Sequence, residues 1–274
     1  MVEKFITFFL NKKIILIHFL LIVFYKLRIL PIKYNQRAKS VIKMKDVENS
    51  FKSLKLIKSN FGYHSLVPMP SDLLLKSFYE ESYWQNRDQN MYPVKKRDLD
   101  HYKLILDLYQ DFNYNNKRIL NFGSGHGGIS ILLHFKNHII ENFDYYKQKK
   151  IFDNKWKNLN DINEINGKYD LIYSSHSLEH VQDIKLMLNK FKDISSKDTI
   201  FFFEVPNCGE EKYIKISPPH TYYFTIDFFK LFFSQIDFAK SYNVGPNNLN
   251  ELENIYQGNI LRVAAKNIKN LDIL

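Results

Sequence analysis

A glycine-rich turn in this chain could supply the bare backbone that nucleotide-like ligands need. It follows a short apolar run, and residues 118–128 read RILNFGSGHGG. Glycine allows a tight turn and leaves backbone N–H groups accessible at the start of a helix, where they can bind such a ligand. Gly123, Gly125 and Gly128 fit the dinucleotide pattern G-x-G-x-x-G. Counting Gly127 in place of Gly128 gives the tighter G-x-G-x-G, so the glycines alone leave the ligand open.

A carboxylate follows the turn at the spacing of a ribose-binding residue. Residues 138–144, HIIENFD, have the pattern of a second strand that ends in Asp144. In doubly wound folds an acid about 20 residues beyond the glycines accepts hydrogen bonds from ribose hydroxyls. We therefore predict Asp144 as the ribose-binding residue, or Glu141 in its place if the strand ends earlier.

A further strand-like run, residues 169–181, delivers ionisable side chains to the same region. Its letters, YDLIYSSHSLEHV, begin as a buried strand and end with His176, Glu179 and His180. Ligands of doubly wound sheets bind outside the carboxyl ends of the strands, so these three side chains should lie beside the glycine turn.

Alternating apolar patterns predict the elements that must position these residues. Strands are predicted over 119–122, 139–143, 169–174, 199–205, 237–244 and 259–265, and helices over 128–135, 181–192 and 226–233. This alternation is typical of an α/β, Rossmann-like doubly wound fold, which we predict as a mostly parallel seven-stranded sheet. Because no helical pattern separates the last two strands, we expect a C-terminal antiparallel hairpin. A helix capped by Ser71 or Asp72 and another over 99–109 predict an N-terminal helical extension.

The predicted division of the chain is an N-terminal helix (1–33), a linker and helical cover (34–110) and the domain with the glycine turn (111–274). Residues 14–25 are almost wholly apolar between basic flanks. As a helix they would be about 18 Å long, short of the roughly 30 Å hydrocarbon core of a membrane. Two hypotheses follow for this helix: it lies on the inner face of a membrane, or it packs on the protein itself or on a second subunit.

The composition limits the class of protein. The 274 residues are 45% hydrophobic, which suits a globular core, and Cys208 is the single cysteine. A disulfide framework and a thiolate zinc site are therefore excluded, and we predict a cytoplasmic protein. The net charge of +10 comes from lysines spread along the chain, so we predict no nucleic-acid partner, although an anionic small substrate would be attracted. The sequence does not predict an oligomeric state.

Taken in order, these motifs resemble those of a class I S-adenosylmethionine-dependent methyltransferase. The resemblance rests on the glycine turn, Asp144, the letters LEHV at 178–181 and the letters EVPN at 204–207. It extends to PPHTYYF at 218–224, which is similar to small-molecule methyltransferases of this superfamily, including those that act on sugars. The resemblance covers roughly residues 60–270 and implies S-adenosylmethionine as cofactor, with a sugar or surface-glycan precursor as the expected acceptor and no resident metal.

The resemblance also implies which residues contact the cofactor. They lie at the end of the first predicted strand, in the glycine turn, between the second and third predicted strands and directly after the third: Asn121, Gly123, Ser124, Gly125, Gly127, Asp144, Asp161, Ile162 and Ser175. Members often carry an acid where this chain has Asn121. An amide can still accept a hydrogen bond from the ligand's amino group, but it lacks the attraction of a carboxylate for a cation.

Acceptor binding and proton removal are implied for a second group of residues. The candidate bases are His176, His180 and His220, because imidazole titrates near neutral pH. The expected acceptor contacts are Glu179, Tyr222 and Tyr223.

Three other functions remain open from the residues. An NAD(P)-dependent oxidoreductase would use the same glycines and Asp144, but the chain has no evident hydride-transfer pair. Residues 176–180 also spell H-x-x-E-H, the signature of an inverted zincin hydrolase. That signature needs both histidines on one helix, whereas His176 directly follows a strand. The third alternative is a cofactor-binding scaffold without activity, which the departure at Asn121 allows.

Overall fold

The computed structural model describes residue 51 and residues 54–79, 94–114, 116–145, 156–209, 216–244 and 249–269. The predicted N-terminal helix, with its apolar residues 14–25, lies outside these ranges. None of the helices within these ranges is long and apolar enough to cross a membrane.

The described residues form eleven strands and five α-helices, numbered in chain order. The strands are β1 (Lys55–Lys58), β2 (Tyr63–Val67), β3 (Arg118–Phe122), β4 (Ile139–Phe143), β5 (Lys157–Leu159), β6 (Tyr169–Ser175), β7 (Ser195–Pro206), β8 (Tyr222–Phe224), β9 (Phe233–Val244), β10 (Leu249–Leu252) and β11 (Ile260–Ile268). The helices are α1 (Asp72–Phe78), α2 (Lys96–Leu108), α3 (Gly128–His134), α4 (Ile184–Asp193) and α5 (Ile226–Phe232).

Five parallel strands form the larger part of the main sheet, up to one of its edges. The strand order is β10-β9-β11-β7-β6-β3-β4-β5, and β3 to β7 are parallel to one another. Strand β11 lies between β7 and β9 and is antiparallel to both. The predicted doubly wound, mostly parallel sheet with a C-terminal antiparallel hairpin is therefore confirmed.

The main sheet has eight strands rather than the predicted seven. Two of the eight lie outside the six predicted ranges: β5, which pairs parallel with β4 at the edge of the sheet, and β10. Strand β10 lies in the connection between the last two predicted strands and pairs antiparallel with β9, Leu252 opposite Ser241. The polar connection folds back on β9 because the edge of a sheet presents unpaired backbone groups that a short strand can satisfy.

Alternate residues of the central strands pack into two separate cores, because successive side chains of a strand point to opposite faces. Leu120 of β3 and Phe201 of β7 pack in the core that includes α4 and α5. Ile119 and Phe202, their neighbours along the chain, pack in the core that includes α2 and α3. Helices therefore cover both faces of the sheet, and the carboxyl ends of the parallel strands remain free for a site.

A second, three-stranded sheet has the order β1-β2-β8 and is antiparallel. The sequence predicted only linker and helices within residues 34–110, whereas this range also holds the β1–β2 hairpin. Gly62, in the turn of the hairpin, has a φ of 76°, and a Cβ at Gly62 would collide with the backbone of Phe228. The hairpin thus packs closely on α5, a contact between distant parts of the chain that no local pattern predicts. The predicted helix is confirmed in α1, where the hydroxyl of Ser71 accepts a hydrogen bond from the N–H of Leu74.

Candidate active site

The glycine turn begins where β3 ends and is attached to the end of β4. The N–H groups of Gly123 and Ser124 both donate to the carbonyl oxygen of Phe143, at 2.8 and 2.9 Å. Three glycines of the turn have positive φ angles, at which any other residue type would be strained: Gly123 (71°), Gly125 (51°) and Gly127 (74°). The strand-to-helix turn predicted from the glycines is thus present, with α3 beginning directly after it.

Asp144 follows β4 and is oriented by the glycine turn. Its Oδ2 accepts a 3.0 Å hydrogen bond from the N–H of Gly125, and its carbonyl oxygen accepts one of 2.7 Å from the Asn160 side chain. Glu141, the alternative ribose-binding residue, is instead buried and accepts hydrogen bonds from Arg118 and Tyr169. The structure therefore favours Asp144 over Glu141 as the residue that binds the ribose. Ribose binding by Asp144 stays a prediction.

Asn121, where the resemblance implies an acid, belongs to a buried hydrogen-bond chain. Its Nδ2 donates to the hydroxyl of Ser130 at 2.8 Å, and that hydroxyl donates to Oδ1 of Asn142 at 2.6 Å. Because the Ser130 proton is already used, Ser130 needs a donor from residue 121. An amide can donate and an ionised carboxylate cannot, so the structure gives a local reason for the asparagine.

A cavity of about 740 Å³ lies at this edge of the sheet, a size suited to metabolite ligands. It is walled by the glycine turn, the ends of β4 and β6, and residues 218–220. The predicted site residues on its wall are Asn121, Gly123, Ser124, Gly125, Gly127, Asp144, Ser175, His176, Glu179, His180 and His220. The fold therefore brings most of the predicted site residues together on one cavity wall.

Four predicted site residues are not on the wall that the described residues form. Asp161 caps the short 3-10 helix Ile162–Glu164 by accepting from the N–H of Asn163 at 2.9 Å, and Ile162 packs against the core. Tyr222 and Tyr223 are buried in β8. The hydroxyl of Tyr222 donates to the carbonyl oxygen of Gln182, and that of Tyr223 accepts from the N–H of Ser217. Tyr222 thus connects β8 to the loop that follows His180, and Tyr223 fastens the loop that carries His220 to β8.

His176 directly follows β6 with a φ of 52° and lies outside the 3-10 helix Leu178–His180. Its Nδ1 is 3.3 Å from Oε1 of Glu179, and its Nε2 is 3.3 Å from Oε1 of Glu204. Burial would lower the pKa of His176, but hydrogen bonds to these two carboxylates outweigh it and raise the pKa to about 9. The inverted-zincin arrangement, with both histidines of the motif on one helix, is not formed.

Glu179, His180 and His220 form a cluster on the cavity wall. Glu179 is fully buried, with Oε1 3.8 Å from Nε2 of His180, and the rings of His180 and His220 are 4.9 Å apart. Burial raises the pKa of Glu179, but the charges and hydrogen bonds of the surrounding histidines outweigh this effect and hold its pKa at about 2. Burial lowers the pKa of both His180 and His220, the latter to about 4.

Thr221 fastens the two chain segments that carry this cluster. Its N–H and its hydroxyl both donate to the carbonyl oxygen of Glu179, at 2.8 and 2.9 Å. The same hydroxyl lies within hydrogen-bond distance of the carbonyl oxygen of Val181. His220 is thereby held beside the 3-10 helix, although about 40 residues separate the two segments.

Glu204 is not on the cavity wall but contacts His176, which is, and the sequence did not predict this role. It is fully buried at the end of β7, and its Oε2 accepts from Nε of Arg262 at 2.6 Å and lies 2.7 Å from Nε2 of His101. Burial raises the pKa of Glu204, but hydrogen bonds from His101 and His176 hold it well below the usual range. The available signal was His101 itself, a histidine on the apolar face of the predicted helix that carries Ile105.

Comparison with known proteins identifies the fold. Residues 95–240 match the family model of a methyltransferase domain, and no curated protein sequence matches. The 1,6-didemethyltoxoflavin-N1-methyltransferase of Burkholderia thailandensis, solved with 1,6-didemethyltoxoflavin and S-adenosylhomocysteine, is 12% identical; the match covers 79% of this chain and 99% of that chain, with a TM-score of 0.54.

Two further structures are less similar. The PH0226 protein of Pyrococcus horikoshii is 12% identical over 69% of this chain and 97% of that chain, with a TM-score of 0.49. A protein from an antibiotic biosynthesis pathway of Anabaena variabilis is 14% identical over 40% of this chain and 46% of that chain, with a TM-score of 0.35. This chain thus spans less than half of the Anabaena protein's length.

The family match covers more than half of the chain and includes the glycine turn, Asp144 and the loop from Ser175 to His180. It confirms the prediction of a methyltransferase with S-adenosylmethionine as its cofactor, and it favours this cofactor over NAD(P). The chain therefore belongs to the methyltransferase domain family.

Proposed function

We propose that the protein transfers a methyl group from S-adenosylmethionine to a small metabolite bound in the cavity. The observation that carries this proposal is the composition of the cavity wall. The glycine turn and Asp144 form one part of it, and Glu179, His180 and His220 form another. Donor and acceptor would thus lie in one space, which direct transfer requires.

The donor part of the wall fits the cofactor. A Cβ at Gly125 would meet no atom within 4 Å, so the turn offers open space and bare backbone next to the oriented Asp144 carboxylate. The backbone of the turn would hold the methionine portion, Asp144 the ribose hydroxyls, and Asn121 the amino group. When bound, S-adenosylmethionine supplies a methyl group on a sulfonium, whose S–C bond breaks as the acceptor atom bonds to the carbon, leaving S-adenosylhomocysteine.

The acceptor part of the wall must align the acceptor and handle its proton. Both ring nitrogens of His176 lie 3.3 Å from carboxylates, those of Glu179 and Glu204. His176 is therefore better suited to fixing these two side chains than to accepting a proton from the acceptor. We therefore expect the cluster of Glu179, His180 and His220 to contact the acceptor.

Two basic side chains, Lys95 and Arg97 at the start of α2, line the same cavity and could bind an anionic group of the acceptor such as the phosphate of a sugar nucleotide. Five carboxylates line it as well, those of Asp72, Asp98, Asp144, Glu179 and Asp183, so the overall charge of the wall does not select an anionic acceptor. A sugar or surface-glycan precursor, expected from the resemblance in residues 218–224, is our proposed acceptor.

The predicted boundaries of the N-terminal helix and of the helical cover, at residues 33 and 110, stay part of the proposal. We also propose that the protein is cytoplasmic and that residues 14–25 make a peripheral contact with a membrane. Liposome flotation of the full chain against a chain from residue 34 onward tests the membrane contact.

Calorimetric titration tests the cofactor site. We expect S-adenosylmethionine and S-adenosylhomocysteine to bind the full chain with micromolar affinity, and NADH not to bind. Asp144→Ala should abolish binding, whereas Asp198→Ala, at an exposed position in β7 away from the cavity, should leave it unchanged. Binding of NADH in place of the sulfur nucleotides would overturn the proposal. Methylation of sugar nucleotides, followed by mass spectrometry, then tests the acceptor class and separates an enzyme from an inactive scaffold.

A further inference from the structure

We propose that Glu179, His180 and His220 bind a divalent transition-metal ion of the zinc or iron(II) class beside the acceptor. The inference rests on the proposed function in one respect, that a methyl acceptor occupies the same cavity. Metal binding itself does not depend on it.

The three side chains have the ligand types and the spacing of a metal site. Each offers one ligand atom, and these atoms all lie within 4.8 Å of one another. Bonds of about 2.0–2.2 Å to a metal place neighbouring ligand atoms roughly 3–3.5 Å apart, so side-chain movements of about 1 Å would close the site. Two imidazoles and one carboxylate suit zinc or iron(II) and leave coordination positions open for another ligand.

A buried oxygen of Glu179 points independently to a ligand. Oε1 of Glu179 is hydrogen-bonded to His176, whereas Oε2 is buried and has no hydrogen-bond partner among the described residues. A buried carboxylate oxygen without a partner is unfavourable and rare in folded proteins. A cation bound to Oε2 would provide the missing interaction.

The surroundings hold the three ligands as metal sites require. The hydrogen bonds of Thr221 to the carbonyl oxygen of Glu179 fasten the segment of His220 to the 3-10 helix of Glu179 and His180. His176 supports the carboxylate of Glu179 from the side, and such hydrogen bonds to ligating side chains are typical of metal sites. His176 is a supporting residue here, which distinguishes this site from an inverted zincin.

A metal at this position would change how the acceptor loses its proton. An acceptor hydroxyl that occupies an open coordination position becomes more acidic, as metal-bound water does. Its proton would pass to solvent water, and the resulting oxygen anion would be the nucleophile. In this arrangement His180 and His220 serve as ligands rather than bases.

Metal titration of the full, untagged chain tests the site. After removal of metal with a chelator, Zn²⁺ and Co²⁺ are added, and binding is followed by elemental analysis and by the visible absorption of Co²⁺. We expect one equivalent to bind, with at least a 100-fold loss of affinity in His220→Ala and in Glu179→Gln. His134→Ala is the matched control, because His134 lies at the end of α3 and is not on the cavity wall; its metal binding should equal that of the unmodified chain.

The same preparations are titrated with S-adenosylhomocysteine, which shows that each variant is folded and separates the two proposals. Variants that bind the nucleotide but not the metal support the metal site. A chain that binds less than stoichiometric metal, or that binds it equally after His220→Ala, overturns the metal site. Loss of nucleotide binding with metal binding retained would overturn the cofactor proposal instead.

Discussion

The hydroxyl of Ser177 donates to the carbonyl oxygen of Gly123 at 3.2 Å, so the loop after β6 is in direct contact with the glycine turn after β3. A Cβ at Gly123 would collide with the Ser177 side chain. The contact joins the donor and acceptor parts of the cavity wall, and it forms only because residue 123 has no side chain.

Gly123→Ala should therefore disrupt cofactor binding. The φ of 71° costs a non-glycine residue about 1–2 kcal/mol, and the collision with Ser177 displaces the loop further. We expect a lower melting temperature and loss of S-adenosylhomocysteine binding, measured by calorimetry. Gly167→Ala is the matched control, because Gly167 has a φ of 75° but is not on the cavity wall. It should lower stability and retain binding; equal losses of binding in both variants would argue against the role of the contact.

Asn121→Asp tests the explanation for the missing acid. The carboxylate cannot donate to Ser130, whose proton is used by Asn142, and two acceptors would then face each other in a buried position. We expect the free energy of unfolding, measured with urea, to fall by about 1–3 kcal/mol. Asn163→Asp, at an exposed position, should change it little. If the two variants are equally stable, the hydrogen-bond chain does not determine residue 121.

The sequence predicted those parts of the fold and site that depend on neighbouring residues. The glycine turn, Asp144 and His176 each follow a strand whose apolar pattern is local, and the common strand edge then brings them together. The β1-β2-β8 sheet was not predicted, because β8 is about 155 residues beyond β2 and its pairing leaves no periodic signal. The same applies to Glu204, whose partners His101 and Arg262 lie 103 and 58 residues away.

Glu141 should make the free energy of unfolding depend on pH. Burial alone would raise the pKa of Glu141, but hydrogen bonds from Tyr169 and Arg118, at 2.7 and 2.6 Å, outweigh it and hold the pKa below its ordinary value of 4.5. A carboxylate whose pKa is lower in the folded state stabilises the protein above its unfolded pKa, and this contribution is lost as the pH falls through the folded pKa.

Glu141→Gln should consequently reduce the free energy of unfolding by about 1.5–3 kcal/mol at pH 7. The difference from the unmodified protein should shrink as the pH is lowered below 4.5, the ordinary value for this carboxyl group. Urea unfolding at several pH values measures it, with the exposed Glu164→Gln as control. A difference that stays constant with pH would show that the charge of Glu141 is not responsible.

Glu204→Gln should be far more disruptive than the loss of a surface ion pair. It removes the negative charge between His101, His176 and Arg262, and the side chain of Arg262 is only 5% exposed. Breaking a buried pair leaves an uncompensated charge and typically costs about 3–5 kcal/mol. The control is Glu251→Gln, which removes the exposed pair of Glu251 with Lys240 and should have little effect, since water and salt screen such pairs. Urea unfolding measures both variants. Because Glu204 also contacts His176, Glu204→Gln should in addition weaken the binding of S-adenosylhomocysteine. If Glu204→Gln leaves the free energy of unfolding unchanged, the buried charge cluster does not determine the stability of the fold.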